Sequence, residues 1–303
     1  MTTPPSKGFH PAKKPAWLKV KFPSHENFFA VSSLVASHGL NTICRSAKCP
    51  NIAECWTEKT ATFLILGDVC SRSCSFCAVP KGTPARVSAD EPGRVAEAAA
   101  SLGLGYVVIT SVTRDDLDDG GASQFVLCLQ ALRTRIPGIR IETLIPDFGG
   151  NADALKQVVE AAPDILGHNL ETVETLYPRI QRPGSNYARS LAVLRNAKEW
   201  GSITKSGLMI GLGETEEEIL QTLQDLRRVS CDLLTIGQYL QPTRGHAPVE
   251  RYYTPQEFDG WKAAALGMGF IDVESGPLVR SSFHAHRLYD KVGRIPKSLS
   301  CGT

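Results

Sequence analysis

Residues 62–82 read TFLILGDVCSRSCSFCAVPKG. An apolar run of strand length stops at Gly67 and Asp68, and Cys70, Cys74 and Cys77 follow in C-x3-C-x2-C spacing. The pattern predicts a strand that carries a cysteine loop at its C-terminal end. Three thiolates spaced in this way can wrap one face of a cubane iron–sulfur cluster and leave one iron without a protein ligand. A structural zinc site asks instead for a fourth ligand nearby.

Outward from this stretch, β-branched runs alternate with amphipathic helical patterns, which is the sign of βα units and a parallel sheet. Strands are expected at 62–69, 106–112, 140–145, 165–170, 204–210 and 233–239. Helices are expected at 92–102, 123–136, 152–161, 187–200 and 216–229, and a further one at 255–268 leads to a short run at 271–274 and a polar tail. Six units fall short of the eight in a closed (β/α)8 barrel, so a partial (β/α)6 TIM-like barrel and an open α/β sheet both satisfy the pattern. Either gathers ligands at the C-terminal strand ends. Glycine and polar residues cluster there, at 67–68, 110–111, 146–147, 169–171, 211–213 and 238–243. The expected division is an N-terminal extension at 1–60, a barrel at 61–270 and a C-terminal extension at 271–303.

The chain has 303 residues, 42% hydrophobic and 21% charged, which excludes a disordered or membrane-embedded class. It holds no apolar run long enough to span a bilayer, and its first residues lack the apolar core of a secretory signal. A net charge of +2 gives no global footprint for nucleic acid. The outlying number is nine cysteines. A reducing cytoplasm is the expected location, where cysteines persist as thiols or metal ligands. A second triplet, Cys44, Cys49 and Cys55, stands in C-x4-C-x5-C spacing, with no histidine or cysteine close enough to complete a zinc site. Cys128 lies at helical spacing with Phe125, Leu129 and Leu132 and reads as a small core residue, as does Cys231. Cys301 falls in the tail and receives no role.

The C-x3-C-x-aromatic-C signature, with Phe76 as the aromatic, resembles that of the radical S-adenosylmethionine (SAM) enzymes. The resemblance implies a [4Fe–4S] cluster whose open iron is chelated by SAM, reductive cleavage of SAM, and a 5′-deoxyadenosyl radical that abstracts hydrogen from an unactivated carbon. The chain further resembles the lipoyl synthase family. The blocks KPAWLKVKFP, CRSAKCPNIAECW, TSVTRDDLDDGGASQF, ETLIPDF, HNLETVETLYPRIQRPGSNYARSL, KSGLMIGLGET, GQYLQPT and SGPLVRSSFHA carry that likeness over roughly residues 14–288.

That resemblance implies a sulfurtransferase. The first triplet would hold an auxiliary [4Fe–4S] cluster whose fourth ligand is Ser282, the second serine of the R-S-S-aromatic-H-A motif, with Ser281 its neighbour. A hard alkoxide is a poorer partner for iron than a thiolate, so such a ligand leaves readily. The auxiliary cluster would donate sulfur after hydrogen abstraction at C6 and at C8 of a protein-bound octanoyl chain. Phe283 replaces the family's usual tyrosine, a conservative change. The G-G-E that often binds SAM is absent; Thr110 and Ser111 stand in its place. Asn169 and Glu171 are candidates for the ribose hydroxyls, and Gly211 and Gly213 for close backbone approach.

Implied partners are an octanoylated lipoyl carrier domain or H protein and an electron donor such as a ferredoxin or flavodoxin, with no nucleic acid, no membrane and a monomeric state. Lys7, Lys13, Lys14, Lys19 and Lys21, with no acid before Glu26, are expected to attract an acidic carrier. His168 reads as a satisfied core histidine, and His284 either as a residue orienting the serine motif or as a capping or surface residue. A tRNA methylthiotransferase is the nearest rival, but the tail after residue 270 is too short for its RNA-binding barrel. A zinc-binding interaction protein is a third class.

Overall fold

Parallel strands packed on both faces tend to be apolar, and the strand at 62–65 is so nearly throughout, whereas those at 140–144, 204–210 and 272–276 carry polar and charged residues into the barrel. The computed structural model describes residues 14–20, 24–58, 60–180, 184 and 186–292. One sheet takes its strands in chain order: β1 (Asn41–Thr42), β2 (Thr62–Ile65), β3 (Tyr106–Ser111), β4 (Arg140–Leu144), β5 (Ile165–Gly167), β6 (Thr204–Ile210), β7 (Leu233–Gln238) and β8 (Asp272–Gly276). β2 to β8 run parallel, and β1 pairs antiparallel with β2. Every residue of β2 and of β7 is buried. No ladder joins β8 back to β1 or β2 among the described residues, so the sheet is the expected partial barrel. β1 and β8 lie outside the six expected units, and one is added at each edge.

The helices are α1 (Glu26–Ser37), α2 (Ile43–Ser46), α3 (Ile52–Thr57), α4 (Glu91–Ser101), α5 (Ala122–Arg135), α6 (Ala152–Glu160), α7 (Tyr187–Glu199), α8 (Glu216–Arg228), α9 (Pro255–Gly267) and α10 (Ala285–Val292). α5 buries Phe125, Cys128, Leu129 and Leu132 on one stripe, which makes Cys128 the core residue its spacing predicted. Cys231 is likewise fully buried. α8 begins with a reciprocal capping box between Thr215 and Glu218 and carries Glu216, Glu217 and Glu218 in its first turn, where negative charge suits the helix dipole. Among the described residues no helix is long and apolar enough to cross a membrane.

The two ends of the barrel differ. At the strand N-termini, Leu288 of α10 packs with Ile165 and Leu233, and the rings of Tyr289 and Tyr106 lie 5.9 Å apart. Just inside, the Lys205 ammonium sits 2.8 Å from the Glu142 carboxylate, both about 2% exposed, and the Tyr106 hydroxyl donates to Glu142 at 2.7 Å. This end is plugged, so the opening lies at the C-terminal rim, where barrel enzymes place their chemistry.

Replacing Lys205 by Met strands the buried Glu142 carboxylate and is expected to cost about 3–5 kcal/mol in urea unfolding. The double variant Lys205→Met/Glu142→Leu is expected to recover most of that loss.

Candidate active site

The C-terminal rim opens on a cavity of about 550 Å³ whose lining includes all six clustered cysteines, Phe76, Thr110, Ser111, Asn169, Glu171 and Ser282. All six are free thiols. The site therefore joins three segments that are remote in sequence: residues before the barrel, the loop after β2 and the turn after β8.

The loop after β2 is held by both backbone and side-chain bonds to other elements. Cys70 N–H donates to Pro80 at 2.8 Å, Gly82 N–H to Cys70 at 3.1 Å, and Ser75 N–H to Ile180 at 2.9 Å. From the segment after β7, Ala247 N–H donates to the Ser75 carbonyl at 2.9 Å, and His246 Nε2 lies 3.0 Å from the Cys77 carbonyl. The His246 contact was not anticipated from sequence; its one signal was the adjacent GQYLQPT block.

The first triplet is carried by short helices. Thr42 caps α2 by accepting from Arg45 N–H, and α2 bears Cys44; α3 bears Cys55; Cys49 lies between them. Trp56 is fully buried beneath, with the Arg45 guanidinium 5.0 Å from its ring centre. The turn after β8 is sewn onto this unit. The Asn51 amide donates to the Leu278 carbonyl at 2.7 Å, and His284 Nε2 lies 3.5 Å from the Glu54 carboxylate. His284 also stacks on Phe283 with centroids 3.8 Å apart.

Burial makes four of these thiols harder to deprotonate. Burial pushes Cys44 up, and Cys49 is raised by burial and then by the nearby Cys44, with Arg280 opposing. Cys55 is likewise raised, by burial and then by the negative charges of Cys49, Cys44, Glu54 and Glu58. Burial moves Cys77 up to about 11, with Glu171 adding to it. Burial and crowding favour the protonated thiols here, and a cationic iron–sulfur core would favour the thiolates. Among the described residues, the group of three ligand atoms lying within 4.8 Å of one another is Glu54, Glu58 and His284. The sulfurs of each triplet are therefore more widely spread than the roughly 3.8 Å that one tetrahedral ion with bonds of about 2.3 Å would impose. The donor set fits a cluster better than a single zinc ion.

On the opposite wall the Ser111 hydroxyl is buried with no partner among the described residues, an orphan that a polar ligand would satisfy. The Asn169 amide donates to the Ser281 hydroxyl at 2.7 Å and to Glu171 at 3.3 Å. Gly207 also lines the cavity, and these side chains pack against it: a Cβ there would lie 2.7 Å from Asn169 Oδ1 and 3.0 Å from Ser281 Oγ. Gly207 was not among the expected site residues, although it lies in the KSGLM block. These groups fit a polar, zwitterionic cosubstrate such as SAM.

Gly211 and Gly213 are not part of the cavity lining. A Cβ on Gly211 would fall 2.1 Å from the Gln238 amide nitrogen, and one on Gly213 would fall 2.9 Å from Arg179. Glu214 accepts from Gly211 N–H and from Leu212 N–H. Close packing of one loop on another accounts for both glycines. His168 is fully buried, with Nδ1 2.9 Å from the Ile145 carbonyl. Cys301 lies outside the described residues.

Residues 64–226 match the model of the Radical SAM superfamily. The chain is 54% identical over 275 residues to a lipoyl synthase of Rubrobacter xylanophilus, covering 90% of this chain and 85% of that one. It is 55% identical over 279 residues to a lipoyl synthase of Pyrobaculum calidifontis, covering 91% and 96%. Among solved structures, methylornithine synthase superposes with a TM-score of 0.52 at 16% identity, covering 86% of each chain. The FeFe-hydrogenase maturase of Carboxydothermus hydrogenoformans gives 0.55 at 14% identity, covering 76% of this chain and 65% of that one. At such identities the structural likeness bears on the fold alone.

Cys49→Ala and Cys74→Ala are each expected to lose one four-iron cluster after anaerobic reconstitution and to retain the other, as read by iron analysis and Mössbauer spectroscopy. Zinc in place of iron in the wild-type chain is the contrary result.

Proposed function

The chain belongs to the lipoyl synthase family of the radical SAM superfamily, and we propose that it performs lipoyl synthesis with the six thiols and Ser282 of this cavity as the ligands of two [4Fe–4S] clusters. The substrate is a protein-bound octanoyl chain that gains sulfur at C6 and C8. One observation carries the assignment of residues: both triplets, Ser282 and the polar wall line one cavity. When bound, the cluster at Cys70, Cys74 and Cys77 with SAM supplies radical hydrogen abstraction, and the cluster at Cys44, Cys49, Cys55 and Ser282 supplies sulfur.

The chain's own residues bind and orient. Thr110, Ser111, Asn169 and Glu171 offer hydroxyl, amide and carboxylate groups to SAM, while Phe76 forms part of the same wall. Gly207, lacking a side chain, leaves room for the Asn169 and Ser281 side chains to meet on that wall. Ser281, already engaged by Asn169, belongs to the SAM side; Ser282 is the residue assigned to the auxiliary cluster. With both sets on one cavity, an alkyl chain entering between them meets radical and sulfur source without leaving the site, which is the positional advantage such a two-step reaction needs.

The octanoyl group arrives on a lipoyl carrier domain or H protein, and a ferredoxin or flavodoxin supplies electrons. Lys14 and Val20 line the cavity, and the Trp17 indole donates to the Tyr253 carbonyl at 3.2 Å, so this N-terminal stretch meets the macromolecular substrate. Lys19 is exposed beside it; Lys7, Lys13 and Lys21 lie outside the described residues. Large exposed apolar residues such as Phe29, Leu127 and Trp200 lie on separate elements, in keeping with a monomer. A cytoplasmic location suits these cysteines, since a reducing compartment keeps cluster ligands as thiols.

The reconstituted chain, given SAM, a reductant and an octanoyl-lysyl peptide, is expected to add two sulfur atoms to the peptide by mass spectrometry. Formation of 5′-deoxyadenosine without sulfur gain refutes lipoyl synthesis while leaving a radical SAM enzyme. Ser282→Ala is expected to spare SAM cleavage far more than sulfur insertion; equal loss of both counts against the ligand assignment. Removing residues 1–21 is expected to slow turnover of the carrier protein at low salt and to matter less at high salt. Unchanged turnover at low salt contradicts the carrier role of the lysines.

A further inference from the structure

Arg72 stands inside the C-x3-C-x2-C loop, two residues after Cys70, and its side chain is only 4% exposed. Its guanidinium forks onto Asp115, with Nε 2.8 Å from Oδ2 and Nη2 2.7 Å from Oδ1, and the same Nη2 lies 2.7 Å from Asp147 Oδ1. Asp147 is fully buried at the end of β4; Asp115 follows β3 and is 41% exposed at its side chain. Arg189 approaches Asp147 at 3.7 Å and completes a set of two cations and two anions. One loop side chain is thus tied to the ends of two neighbouring strands by charge-assisted bonds, the strong kind.

The backbone gives this tie a chemical consequence. The Cys70 sulfur accepts two N–H groups, from Arg72 at 3.5 Å and from Thr113 at 3.4 Å. Arg72 carries the first donor, and Thr113, two residues before Asp115, carries the second. Ser71 N–H donates to the Thr113 carbonyl at 3.1 Å, and Asp115 N–H donates to the Ser71 hydroxyl at 3.1 Å, so the two segments meet along this seam. Hydrogen bonds to ligand sulfur are among the levers that set a cluster's reduction potential.

We propose that Arg72 is a positioning residue whose clamp on Asp147 and Asp115 holds the two N–H donors on the Cys70 sulfur and thereby sets the reduction potential of the SAM-binding cluster. The proposal rests on Cys70 being a ligand of that cluster. Loosening the clamp weakens both N–H···S bonds and makes the cluster harder to reduce.

The test turns on sign. Asp147→Asn removes a negative charge near the cluster, which by Coulomb's law alone makes reduction easier; loss of the clamp makes it harder. The full chain is loaded anaerobically, iron is counted, and the SAM-binding cluster is titrated by EPR. The expected result for Asp147→Asn is a reduced-to-oxidised ratio about tenfold lower at a fixed potential, equivalent to roughly 59 mV for one electron. Arg72→Lys keeps the charge but loses the fork and is expected to shift the same way. A ratio unchanged or raised in Asp147→Asn, or a wild-type ratio in Arg72→Lys, overturns the clamp. Should Asp147→Asn fail to fold, Asp115→Asn, at the more exposed partner, repeats the sign test with the same criteria. A Cys70→Ala chain that keeps its full iron complement overturns the ligand assignment itself. A lost cluster there, with unmoved potentials in the clamp variants, overturns the clamp alone.

Discussion

The loop from Cys70 to Cys77 contains no helix or strand, so its shape depends on hydrogen bonds to elements elsewhere in the chain. Fixing each loop residue costs about 1–2 kcal/mol of conformational entropy, and one backbone hydrogen bond returns about 1 kcal/mol net. The loop cannot hold itself. Its partners include Thr113 and Asp115 beyond β3, Asp147 beyond β4, Ile180 ahead of α7, and His246 and Ala247 beyond β7. Those elements span most of the barrel, so the cysteine loop takes its final form only once the sheet is assembled. The barrel is the frame, and the site is ordered by it.

Electrostatics imposes the second constraint. Burial pushes Cys44, Cys49, Cys55 and Cys77 towards the protonated form, and the first triplet adds mutual repulsion among its thiolates. Arg280 beside Cys49 and the Ser111 hydroxyl are likewise arranged for charged or polar guests rather than for each other. Groups that are poorly satisfied alone gain most when their ligands bind, so the loaded protein is more stable than the bare chain by linkage. The bonds of the surrounding frame, such as Asn51 to Leu278, keep the site from collapsing in the meantime.

Local signals made much of this visible in the sequence. The βα alternation has a short period, and cysteine spacing within a dozen residues reports directly on a loop's reach. The run of βα units and both triplets were therefore legible in the order of residues, while that order alone left a partial barrel and an open sheet both standing. Strand β1 has two residues and carries too little pattern to be seen. Gly211 and Gly213 have the composition of a ligand-binding turn, yet Gln238, Arg251 and Arg179 occupy the space a side chain would need. That distinction lies in tertiary packing, which glycine alone does not encode. The links from Asn51 to Leu278 and from His246 to Cys77 join residues far apart along the chain and leave no periodic trace.

The turn after β8 shows why a distant serine suits the proposed role better than a nearby one. Ser281 is engaged by Asn169, whereas Ser282 lines both the main cavity and a second of about 310 Å³ beside α10. The turn is anchored through the Leu278 carbonyl, which accepts from Asn51, and through Ser281, which accepts from Asn169. A ligand that must let go of a dismantled cluster can then detach without releasing the turn that carries it. A fourth cysteine would bind more tightly, since thiolate is the softer donor, and would resist that release. Weak ligation on a firmly anchored segment is therefore the combination that a sacrificial cluster requires.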